Sequence, residues 1–149
     1  MCWRFNEQFP ANPTAASTAR NAVTTRIIAE PQLRVGSETV DNVRLVVSEL
    51  ATNAVQASSD DFTLVVEVHH GEARVEVADT SQALPHVEDP SSTDAHGRGL
   101  LLVAAIATDW GVDSRAVGKT VWATLSLPEN ATEHIACGCA DRLLTRPNS

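Results

Sequence analysis

The chain has 149 residues, of which 43% are hydrophobic, enough for one sizeable core and too short for two ordinary domains. Its formal net charge of −8 and pI near 5.0 leave no surplus of Lys or Arg to displace counterions from phosphates, which excludes general nucleic-acid binding. The opening Met1-Cys2-Trp3-Arg4-Phe5 lacks the apolar core of a secretory signal, and no run of 18 apolar residues could span a bilayer, so the expected location is the cytoplasm, with no membrane partner.

Residues 1–14 read as an N-terminal extension. From Ala15 to Glu30 apolar positions recur at helical spacing and stop before Pro31, which disfavours helical geometry in its predecessor. A second helix over Val40–Ala57 carries Val43, Val47, Leu50 and Ala54 at steps of four, three and four, with Ser37 or Thr39 available as its cap. Phe62, Leu64, Val66 and Val68 then alternate with Thr63, Glu67 and His69, Gly71 marks a turn, and Ala73, Val75 and Val77 alternate with Arg74 and Glu76. These predict a hairpin with one buried face. Thr80–His96, with Pro85, Pro90 and a Ser-Ser-Thr cluster, predicts a long loop, Gly99–Ala107 a short apolar helix, and Trp110–Arg115 and Thr120–Leu127 two strands. Residues 129–149 read as a tail. This order predicts an α+β two-layer sandwich over 15–128, with helices on one face of a mixed, largely antiparallel sheet.

Four features bear on chemistry. Glu49 and Asn53 are one helical turn apart and share a face within an otherwise apolar segment; that helix by itself reads equally well as a solvated stripe continued by Gln56. Gly97-Arg98-Gly99 precedes Leu100-Leu101-Leu102-Val103, so glycines open a helix whose first amides are unpaired, a ready anion site or simple turn chemistry. A dinucleotide-binding fingerprint would need glycine where Leu102 stands. Gly118-Lys119-Thr120 has the ending of a P-loop, but the earlier glycine would fall at Asp113 and a strand follows, which leaves a strand entry with Lys119 facing solvent. Asp79 closes the second hairpin strand, where an Asp commonly caps a turn. Cys2, Cys137 and Cys139 form no disulfide framework, and His134 with Cys137 and Cys139 is one ligand short of a structural zinc site.

In their order these segments resemble the GHKL ATPase superfamily over about residues 15–127. Ser48-Glu49-Leu50-Ala51-Thr52-Asn53-Ala54 resembles the family's N box, Asp79-Thr80-Ser81-Gln82-Ala83 its first glycine box, Gly97-Arg98-Gly99-Leu100 the second, and Gly118-Lys119-Thr120 its last block. The short chain with Leu-Val-Val-Ser-Glu-Leu-Ala-Thr-Asn-Ala and Gly-Lys-Thr-Val-Trp is most similar to the stand-alone anti-sigma-factor serine/threonine kinases of actinobacteria.

That resemblance implies ATP and Mg²⁺ as cofactors. It implies that Asn53 ligates the metal, that Glu49 is the general base, and that Asp79 accepts a hydrogen bond from the adenine amino group. Gly97, Arg98, Gly99 and Leu100 would contact phosphates, Leu84–His96 would be a lid, and Thr120 would support the adenine end. Ser81, Ala83 and His96 stand where the family has glycines, and a non-glycine residue forced to φ > 0 costs roughly 1–2 kcal/mol. Two functions follow from the resemblance: a kinase that phosphorylates an antagonist protein and sequesters a sigma factor, or a partner-switching module with a degenerate nucleotide pocket. A homodimer is implied as well. A sensor histidine kinase catalytic domain is less consistent, since none of the five histidines lies in a phosphoacceptor-like helix.

Overall fold

A computed structural model describes residues 3–81 and 95–128, with 95–99 described by their backbone alone. In chain order the elements are β1 (Trp3–Phe9), α1 (Ala15–Ala29), α2 (Ser37–Ala57), β2 (Phe62–His69), β3 (Glu72–Asp79), α3 (Ala95–Ile106), β4 (Asp109–Ser114) and β5 (Lys119–Ser126). The strands form one five-stranded sheet in the order β1-β2-β3-β5-β4, and all its pairings are antiparallel. The helices cover one face, so the architecture is the α+β two-layer sandwich that the sequence predicts.

Strand alternation builds the core. Phe62, Leu64, Val66 and Val68 of β2 point inward with Ala73, Val75 and Val77 of β3 and Val121, Ala123 and Leu125 of β5, all buried. Each Phe, Leu or Val among them contributes roughly 1.5–3 kcal/mol on removal from water. α1 lays Ala15, Ala19, Val23 and Ile27 on this layer at every fourth residue, and α2 lays down Val43, Val46, Val47, Leu50, Ala51 and Ala54. The β2–β3 turn is His70-Gly71, with φ of 39° and 78°, the left-handed pair that a two-residue hairpin requires.

The structure corrects the sequence reading in three places. Residues 3–9, taken as part of an extension, form the edge strand β1, paired with β2 from Trp3↔Val68 to Phe9↔Phe62 and burying Trp3, Phe5 and Phe9. α2 starts at Ser37 with Gly36 at its N-cap and no side-chain cap bond, so neither Ser37 nor Thr39 caps it; Glu38 in the first turn supplies the charge that favours a helix N-terminus. α3 starts at Ala95, four residues before the predicted Gly99. Residues 82–94 and 129–149, with Ala83, the expected lid as far as Asp94, and Cys137 and Cys139, lie outside the described residues, while Ala95 and His96, expected at the end of the lid, belong to α3.

Candidate functional site

α2 occupies the middle of the helical layer, packed against α1 on one side and α3 on the other. Arg20 of α1 reaches Ser48 on α2 at 3.4 Å, which identifies the α1-facing flank. With about 100° per residue and the Val43, Val47, Leu50 and Ala54 stripe toward the sheet, Glu49 and Asn53 fall on the opposite flank, the side of α3. The polar pair that interrupts the apolar pattern is therefore no solvated back of the helix. Both residues are half-buried, and burial pushes the Glu49 carboxyl above its ordinary range by disfavouring the charged form. The Asn53 amide nitrogen is buried without a hydrogen-bond partner among the described residues. An unsatisfied buried amide costs free energy unless a ligand supplies its acceptor.

The end of α2 is tied to the end of β3. Ser58, the α2 C-cap, shares a 3.0 Å hydrogen bond with the Thr80 hydroxyl, which also donates to Asp60 at 2.8 Å. This clamp holds the last strand residue, Asp79, at the same end of the sandwich as the C-terminal turns of α2. Asp79 continues the inward phase of Val75 and Val77, and Lys119, its partner across the β3–β5 pair, continues the inward phase of Val121 and Ala123. Their side chains are 0% and 2% exposed, and the Lys119 ammonium donates to both carboxylate oxygens at 3.1 and 3.0 Å. The Ser81 amide donates to the same carboxylate at 2.8 Å.

Gly118 makes that geometry possible. Its φ is +83°, and a Cβ there would stand 1.9 Å from the Asp79 carbonyl oxygen and 2.6 Å from the Thr80 Cα. Only glycine lets β5 begin against the end of β3. Among the described non-glycine residues only His70 has positive φ, so Ser81 at its glycine-box position carries no left-handed strain.

The sequence-predicted residues are distributed as follows. Asp79 stands on the helix side of the sheet at the end where α2 finishes, and Glu49 and Asn53 stand on the α3-facing flank of α2. Thr120 does not join them: it is out of phase with Lys119, faces Ala78 and Asp113 across its neighbours, and shares the far face with Trp122, its buried hydroxyl without a partner among the described residues. Gly97, Arg98, Gly99 and Leu100 lie inside α3 rather than ahead of it. In a helix beginning at Ala95, Gly97 is the one of these four whose N–H has no carbonyl four residues back within the helix or at its cap. Leu100 is 3% exposed and packs in the core. Lys119 was missed. Its signal was legible, because Lys119, Val121, Ala123 and Leu125 share one phase of the strand.

Three orphaned or engaged groups test whether ATP fits: the Asn53 amide without a partner, the half-buried Glu49, and the Asp79–Lys119 pair with donors and acceptors left over. The Asn53 donor suits a phosphate oxygen and the Asp79–Lys119 pair an aminopurine edge, while Glu49 offers a base and no anion contact. Among the described residues no group of three His, Cys, Asp or Glu could hold a metal ion unaided, so a divalent cation at Asn53 would share its ligands with phosphate oxygens.

Residues 9–125 match the histidine kinase-like ATPase domain family, and the chain belongs to it. It is an ATP-binding domain of the GHKL type. Comparison with curated proteins gives no match. Among solved structures, the chain is similar to the histidine kinase domain of the blue-light activated histidine kinase EL346 from Erythrobacter litoralis, with a TM-score of 0.51 and 24% identity over 83% of this chain. The match spans 64% of that structure, and at this identity the likeness is one of fold. No helix among the described residues is long and apolar enough to cross a membrane.

Proposed function

We propose that this protein is an ATP-dependent serine/threonine kinase of the anti-sigma-factor type, acting on a small antagonist protein in the cytoplasm and sequestering a sigma factor when free of it. The observation that carries this reading is the flank of α2 on which a half-buried Glu49 of raised pKa stands one turn from the unpartnered amide of Asn53. A carboxylate made more basic by burial is suited to accept the proton of a substrate hydroxyl.

In this reading the hydroxyl oxygen attacks the γ-phosphorus, the bond from that phosphorus to the β,γ-bridging oxygen breaks, ADP leaves, and the hydroxyl proton passes to Glu49. Asn53 would hold Mg²⁺ through its side-chain oxygen, and the ion would neutralise charge on the transferring phosphoryl group. The leading amides of α3, Gly97 among them, would face the phosphates. Asp79 would take the adenine amino group. A homodimer belongs to the same proposal.

A second reading is a partner-binding module that holds nucleotide weakly. The observation in its favour is that the Asp79 carboxylate is already engaged by Lys119 and Ser81. Incubation with radiolabelled ATP and candidate antagonist proteins separates the two. The kinase reading expects phosphate on a Ser or Thr of the antagonist, lost in Glu49→Ala. Absence of transfer, with partner binding unchanged in Glu49→Ala, overturns it in favour of the binding module.

A further inference from the structure

Lys119 is a buried ammonium whose only described acceptor is one carboxylate. An ammonium has three N–H donors, and Asp79 takes two through its two oxygens. The third has no acceptor among the described residues. The Asp79 carboxylate offers about four lone-pair sites, of which Lys119 uses two and the Ser81 amide one. The pair thus presents one unused donor beside one unused acceptor, on the helix side of the sheet and at the end where α2 closes on β3. Burial makes both expensive to leave unmet.

An adenine edge has the complementary pattern: an exocyclic amino group that donates, flanked by ring nitrogens that accept. A lone carboxylate can read only the amino group. The geometry points to Lys119 as a nucleobase-reading residue, its ammonium donating to the ring nitrogen beside the amino group that Asp79 accepts. This rests on the ATP-site reading above and adds a specificity determinant to it. The alternative, that Lys119 merely holds Asp79 in place, predicts a different response to base analogues.

The test is calorimetric titration of the full chain with ATP, 1-deaza-ATP and 7-deaza-ATP, each analogue replacing one flanking ring nitrogen by carbon. Wild type is expected to bind one analogue roughly ten- to hundredfold more weakly than ATP, the loss typical of a hydrogen bond from a charged donor. In Lys119→Met that difference should vanish, ATP falling to the affinity of the affected analogue. Equal affinity of wild type for all three nucleotides overturns the assignment of Lys119 while leaving the ATP site standing. So does discrimination that persists in Lys119→Met. Failure of wild type to bind ATP at all overturns the site reading and this inference together. Should Lys119→Met lose its fold by circular dichroism, the wild-type analogue comparison decides by itself.

Discussion

Lys119 and Asp79 face each other across the β3–β5 pair with the ammonium 3.1 and 3.0 Å from the two carboxylate oxygens, both side chains at most 2% exposed. Such a pair gains little over an apolar replacement, because desolvation offsets most of the attraction, yet removing one partner strands a buried charge. Lys119→Met should therefore cost about 3–5 kcal/mol of stability. The double variant Asp79→Leu with Lys119→Met should recover most of that loss. Urea unfolding of wild type, Lys119→Met, Asp79→Leu and the double variant at pH 7 measures the cycle, and a Lys119→Met variant as stable as wild type would show that the pair is not held in solution.

Gly118 and Gly71 both have positive φ, +83° and +78°, but only Gly118 has atoms where a Cβ would go. Gly71→Ala should cost only the backbone strain of roughly 1–2 kcal/mol. Gly118→Ala should cost clearly more and also weaken ATP binding, because the atoms in the way belong to the Asp79 and Thr80 backbone. Thermal melting and nucleotide titration of both variants check this, and equal losses would refute the close approach.

Burial raises the Glu49 pKa, so phosphotransfer should decline as the pH falls through a value above the ordinary 4.5 of a glutamate. Glu49→Gln should reduce transfer by about 10²–10⁴-fold with ATP affinity retained. The effect on stability has the opposite sense. The folded state holds the Glu49 proton more tightly than the unfolded chain, so this contribution is fully present below 4.5 and is lost as pH rises through the folded pKa. At neutral pH Glu49→Gln should therefore melt higher than wild type. Melting curves across pH 4–8 test the sign, and a lower melting point at pH 7 would contradict it.

The edge strand gives the simplest stability test. Phe5 is 1% exposed and faces the core, while its neighbour Asn6 is exposed. Phe5→Ala should cost about 3–5 kcal/mol, and Asn6→Ala less than ~0.5 kcal/mol. Similar values for the two would mean that β1 is not docked on β2.

The fold class, both long helices and the β2–β3 hairpin were legible in the sequence because each repeats its burial locally, every three to four residues in α2 and every second residue in β2 and β3. β1 was less so. Trp3, Phe5 and Phe9 alternate, but Glu7 breaks the pattern at the solvent edge, and an edge strand that pairs on one side needs little apolar sequence. The start of α3 was set four residues late because glycines look like helix boundaries, whereas the backbone carries Gly97 and Gly99 inside the helix.

At the site, local chemistry named Glu49, Asn53 and Asp79, since a polar residue inside an apolar period is conspicuous in one dimension. That Asp79 lies on the face of the sheet that α2 covers is a tertiary fact. The sequence determined which positions face inward, because side-chain direction follows from the period of the backbone and needs no partner. Only the tertiary structure decided that β5 inserts between β3 and β4, which sets Lys119 rather than Thr120 beside Asp79. Strand order and register depend on contacts between residues 40 apart in the chain, and no local pattern encodes which of two strands will lie alongside a given third.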